Sequence, residues 1–132
     1  IRADAPLLQH NTKLKMIPSS AKGKKSQTDF QQVATTASGW TLWDAQTSFI
    51  RPHQIRAHAA VHEIPLMGDS LYGGAEVPSL RDLMPGKRGP GMQAPAFDGI
   101  PLHLAAVTLA DGTRIEAVVP KAFEVLQRRL GF

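Results

Sequence analysis

Residues 51–74 read RPHQIRAHAAVHEIPLMGDSLYGG, and the rest of the chain is organised around them. Pro52 follows a basic residue, and proline suits the first position of a helix because its missing N–H would have had no partner there. From Arg51 to His62 there is no breaker until Pro65, which predicts one helix of a few turns. At helical spacing, His53 and Arg56 share one face, and Ile55, Ala59 and His62 share another. An apolar step, Ile64–Met67, leads to Gly68-Asp69. Tyr72 and the Gly73-Gly74 turn then close the segment, glycine serving where φ is positive or two backbones come close.

Upstream, Ile1–Pro18 reads as an extended lead-in with an edge strand, followed by a Lys-rich turn at residues 19–26 centred on Gly23. Lys22, Lys24 and Lys25 in that turn are either a solvated loop or a phosphate contact. Thr28–Thr36 and Trp40–Thr47 read as strands joined by a Ser38-Gly39 turn, an antiparallel hairpin that delivers the chain to the helix. One or both of Trp40 and Trp43 read as core anchors, with base stacking as the alternative.

Downstream, Pro78–Met84 suits a short helix. Residues 85–101 are crowded with Gly and Pro and lack periodicity, so they read as a loop. Lys87 and Arg88 lie within it, either solvated or in contact with RNA. Leu102–Ala110 is apolar on both faces, which predicts a central strand covered on two sides. Asp111-Gly112 predicts a hairpin turn, and Thr113–Val119 the returning strand. Pro120 opens a last helix with Phe123, Leu126 and Leu130 in one stripe and Glu124 placed to pair with Arg128. The fold class expected is α+β: a mixed, mainly antiparallel sheet flanked by helices.

The chain has 132 residues, a net charge of +4 and no cysteine. That length suits one domain or part of one. The charge favours an anionic partner. Without cysteine, a disulfide framework and thiolate metal sites are excluded, and a reducing cytoplasm is the expected compartment. No apolar run approaches the roughly 20 residues of a membrane span, so no membrane partner is expected. His58 and His62 stand four apart beside Glu63, but a third ligand at recognisable spacing is lacking, so no metal is expected.

The run His53-Gln54-Ile55-Arg56-Ala57-His58, then Pro65-Leu66-Met67-Gly68-Asp69 and Leu71-Tyr72-Gly73, resembles the signature of RluA-type RNA pseudouridine synthases. Gly23-Lys24 followed by Thr28 and Phe30 is similar to an earlier run of that family, and the stretch from Leu102-His103 through the last helix is similar to its end. The resemblance implies isomerisation of uridine to pseudouridine in rRNA or tRNA without a cofactor. It assigns Arg56 as the partner of the catalytic Asp. His53, Gln54 and Tyr72 would shape the cleft, and Lys24, Lys25 and Arg51 would touch RNA backbone. Two departures matter. The family's Asp-bearing HRLD segment is not among these residues, so residues 1–132 are expected to be the C-terminal portion of a catalytic domain, inactive alone and partnered by a missing N-terminal part. Phe49-Ile50 stands where the family has Thr-Gly, and a β-branched Ile50 would be strained if φ were positive there. The competing expectation is a non-catalytic RNA-binding module derived from the same family.

Overall fold

A computed structural model describes residues 1–132, which form two compact units, Ile1–Glu76 and Val77–Phe132. The fold class is α+β, as expected, and every strand pairing is antiparallel, distributed over three small sheets.

In the first unit the lead-in forms three short strands: β1 (Arg2–Ala3), β2 (Leu7–Gln9) and β3 (Met16–Pro18). The hairpin follows as β4 (Thr28–Thr35) and β5 (Thr41–Gln46), and β1 lies along its edge in the order β1-β4-β5. β2 and β3 make a separate ribbon. Gly39, at φ 92°, closes the β4–β5 turn, and Thr36 Oγ1 accepts the Trp40 N–H there. Between Gln32 and Ala34 the register shifts, so Val33 is a bulge residue and stays exposed. Gly23 permits a close approach, since a Cβ there would collide with the carbonyls of Ser19 and Pro6.

The predicted helix is α1 (Gln54–Val61), two residues shorter at its start than Pro52 suggests. His53 is the residue before it and takes a left-handed conformation, φ 54°, with no side-chain cap. The helix ends on a second left-handed residue, Glu63 at φ 61°. The Glu63 N–H bonds the Ala60 carbonyl and the Ile64 N–H bonds the Ala59 carbonyl, a closing pattern usually built on glycine. Pro65 then forbids continuation. One face of α1 packs Ala59 and Ile55 against Ala3, Phe30, Trp43, Ala45, Ile64 and Leu66. Another packs Ala57 against Leu7, Met16 and Tyr72. Phe30 alone, 5% exposed, contributes about 2–3 kcal/mol by leaving water. Trp43 thus serves as a half-buried anchor. Ile50 does not have positive φ, so the strain feared from replacing glycine there does not arise.

The second unit holds α2 (Leu80–Leu83), β6 (Ala106–Thr108), β7 (Arg114–Glu116) and α3 (Lys121–Leu130). Ser79 and Asp82 cap α2 reciprocally. The Gly/Pro-rich loop doubles back along residues 78–81, with Leu80 N–H on Ala94 O, Arg81 N–H on Met92 O and Ala96 N–H on Pro78 O. Two expectations are corrected here. The Leu102–Ala110 segment is not a covered central strand: only residues 106–108 pair, and with β7 alone, and Leu102, Leu104, Val107 and Leu109 are all exposed. An apolar pattern reports what a strand could bury, not whether a layer is present to bury it. Glu124 pairs with Lys121 at 3.8 Å rather than with Arg128. Leu126 is the buried member of the α3 stripe, and Phe97 meets Phe123 edge to face.

Candidate functional site

The site lies within the first unit, where α1 and the turn after it bring Arg56, Asp69, Tyr72 and His53 together. Arg56 Nε donates to Asp69 Oδ2 at 2.7 Å and Nη2 donates to Asp69 Oδ1 at 2.8 Å. Asp69 is 1% exposed, and its backbone carbonyl accepts from Gly74 N–H and Tyr72 N–H. Such a paired, charge-assisted contact is the strongest a carboxylate and a side chain make. Asp69 holds the Arg56 guanidinium above its ordinary range, chiefly through these hydrogen bonds. The pair is side-on, using Nε and one Nη, so the N–H groups of Nη1 are not consumed by Asp69.

Tyr72 is the centre of the group. Its Oη accepts the Met16 N–H at 2.8 Å and lies 2.9 Å from His53 Nδ1. Met16 N–H occupies one acceptor position of the phenol oxygen, and the Tyr72–His53 bond runs from the phenol to a bare Nδ1 or from Nδ1–H to the phenol according to the imidazole tautomer. Burial pushes the Tyr72 phenol up, opposed by the Met16 bond and the Arg56 charge. His53 is held below its usual 6.5, first by burial and then by Arg56, with Asp69 acting the other way. Two cations rest against the Tyr72 ring, Arg56 at 5.1 Å and Lys15 at 5.3 Å from its centroid. The strained His53 backbone, costing on the order of 1 kcal/mol, is retained where its ring gains the Tyr72 bond.

Gln54 is fully enclosed and therefore meets no solvent-filled cleft. Its Oε1 accepts Arg51 N–H, and its Nε2 lies within 3.1 Å of Gln27 O, Thr28 Oγ1 and Thr47 Oγ1. Thr28 in turn meets His58 Nδ1 at 3.0 Å, and His58 Nε2 donates to Ala5 O at 2.9 Å. Both nitrogens of His58 are thereby occupied, and the buried row Gln54–Thr28–His58 joins the helix to β4 and the lead-in. Lys24 and Lys25 are exposed. Arg51 Nε donates to Lys25 O at 3.1 Å, and its guanidinium covers the Phe49 ring at 5.3 Å, so Arg51 and Lys25 are neighbours. Sequence reasoning did not single out Lys15, nor Asp69 as the partner of Arg56. For Asp69 the available signal was the Gly-Asp pair on a turn that returns the chain to the helix.

No family model matches the chain. Curated proteins similar to it include ribosomal large subunit pseudouridine synthase D of Vibrio cholerae, 37% identical over 76 residues, which covers 57% of this chain and 23% of that protein. An uncharacterized RNA pseudouridine synthase of Helicobacter pylori is 37% identical over 67 residues, 48% of this chain and 20% of that protein. RNA pseudouridine synthase 2, chloroplastic, of Arabidopsis thaliana is 35% identical over 66 residues, 46% of this chain and 15% of that protein. The chain spans no more than about a quarter of the length of these curated relatives. Over about half its length the chain is thus similar to proteins named RNA pseudouridine synthases, which supports the RluA-type resemblance carried by its motifs.

Proposed function

We propose that the chain is the arginine-bearing portion of an enzyme that isomerises uridine to pseudouridine in rRNA or tRNA. In that reaction the N1–C1′ bond breaks and a C5–C1′ bond forms, while a proton leaves C5 and N1 gains one. Product and substrate are isomers, so no oxidant, reductant or group donor is required. The target base must leave its stack to be reached. The observation that carries the reading is the side-on Arg56–Asp69 pair: Asp69 orients the guanidinium while the Nη1 side stays available to a second carboxylate. A catalytic Asp from outside residues 1–132 would be held ionised there by the opposite charge. The His53 imidazole, held toward its neutral form, would line the cleft beside it, and Arg51, Lys24 and Lys25 would meet RNA backbone.

The test is tritium release from RNA labelled at uridine C5, using the full-length protein that contains this chain. Arg56→Lys keeps the charge but loses the planar fork. Expected is a fall in kcat of about 100-fold or more, the scale of removing a group that positions and stabilises reacting charge, with RNA affinity kept within a few-fold. Unchanged turnover would refute the role given to Arg56. RNA binding without turnover in the unmodified full-length protein would instead identify a non-catalytic RNA-binding module.

A further inference from the structure

Apart from the Arg56 group, the second unit carries a basic recess of its own, about 370 Å³ in volume, lined by Arg81, Gly86, Lys87, Arg88 and Gly89. No carboxylate lines it. The ion pairs of the chain are Arg2–Asp29, Arg56–Asp69, Arg114–Glu116 and Lys121–Glu124, so Arg81, Lys87 and Arg88 belong to none. The adjacent acid, Asp82, is turned away to the start of α2, where Oδ2 accepts the Ser79 N–H. The recess has a braced wall and an uncrowded rim. Its wall is Arg81, whose N–H is bonded to Met92 O and whose guanidinium is braced by Gln93: with the amide oxygen turned inward, it accepts from Nη1 and Nη2 at 3.0 and 3.1 Å. Its rim is the 86–89 loop, where Gly86 and Gly89 have φ 92° and 134° and no side chain to crowd an incoming group.

Cations gathered in this way, without an internal counter-charge, repel one another until an anion joins them. We infer that this recess is a second RNA contact, taking a backbone phosphate of the polynucleotide between Arg81 and the Lys87-Arg88 rim. Arg81 supplies planar, bidentate donors and Lys87 a mobile point charge. A phosphate contact of this kind adds affinity and orientation rather than sequence choice. The inference rests on the proposed RNA substrate but not on the chemistry assigned to Arg56.

The experiment is fluorescence-anisotropy binding of a labelled single-stranded 12-nucleotide RNA to the 132-residue chain across a salt series. Each phosphate contact in a single strand contributes about 0.7 to the slope of log affinity against log salt. Lys87→Gln with Arg88→Gln should lower the slope by about 0.7 and weaken binding roughly 5-fold near 0.1 M salt. Lys87→Arg with Arg88→Lys should preserve the slope. Arg114→Gln with Lys121→Gln, two exposed cations of the same unit already paired with acids, should change it much less. An unchanged slope in the Gln double variant, an equal loss in the Arg114/Lys121 control, or no measurable RNA binding by the chain would overturn the inference. So would displacement of the RNA by millimolar inorganic phosphate, which would mark a free-phosphate site. The assay reads binding and no turnover, so this result and the turnover result above fail separately.

Discussion

Asp69→Asn isolates the contact on which the candidate site is built. The substitution keeps the shape of the side chain and removes its charge, leaving the Arg56 guanidinium opposite a neutral amide. Stranding one member of a buried pair costs about 3–5 kcal/mol. Here the Asp69 side chain is 0% and the Arg56 side chain 21% exposed, so water reaches part of the orphaned cation. That relief reduces the expected loss to about 2–3 kcal/mol. The readout is urea unfolding followed by tryptophan fluorescence, which reports on the first unit because both tryptophans, Trp40 and Trp43, lie in it. With a slope of about 1 kcal/mol per molar for a unit this small, the midpoint should drop by roughly 2–3 M with the slope unchanged. Adding Arg56→Met to Asp69→Asn should recover a large part of the loss, since no unpaired charge is left. A loss below about 0.5 kcal/mol for Asp69→Asn, or equal losses in the single and double variants, would refute the claim that Asp69 anchors Arg56.

Other expectations follow from neighbouring contacts. Gln54→Leu leaves Arg51 N–H, Gln27 O and the hydroxyls of Thr28 and Thr47 short of a buried partner; a loss of about 2–4 kcal/mol is expected in the same urea assay, and a neutral result would contradict the bonding described. Glu63→Gly should stabilise by about 0.5–1 kcal/mol, because glycine takes φ 61° without the side-chain penalty, and thermal melting would show it as a higher midpoint. His53 is held below 6.5 in the folded chain, so the unfolded chain takes up its proton first as pH falls. Its contribution is complete above 6.5 and is lost as pH falls from there through the lowered folded value, so stability should rise with pH across that window. His53→Gln should flatten the dependence; an identical pH profile would show that His53 does not titrate as described. Gly74→Ala should be far more damaging than Gly73→Ala, because a Cβ at Gly74 strikes the Leu66 carbonyl whereas one at Gly73 meets open space, and soluble yield and melting midpoint should separate the two.

Local rules were enough to read the β4–β5 hairpin, α1, the Asp111-Gly112 turn and the apolar stripe of α3, because each is set by alternation, capping or turn chemistry among near neighbours. They failed where the deciding partner is distant or missing. Nothing local distinguishes an apolar strand with a covering layer from Leu102–Ala110, which has none over its exposed leucines. Gln54 belongs to a residue type usually found in water, and its burial depends on Gln27, Thr28 and Thr47 arriving from the hairpin. The motif singled out Arg56, but the carboxylate it pairs with lies 13 residues on, past a helix end and two turns. Glu124 chose Lys121 over Arg128 although helical spacing permits either.

The Tyr72 hydroxyl is shared between the Met16 amide of one element and the His53 ring of another. The imidazole at the head of α1 is thereby tied, through one phenol, to a strand 37 positions earlier in the chain. Should the β2–β3 ribbon fray, the hydroxyl would be free to rotate and the ring to exchange one tautomer for the other, swapping the hydrogen-bonding role of its outward nitrogen. Loosening at a remote ribbon would thus reach the site as a change of polarity rather than a change of shape.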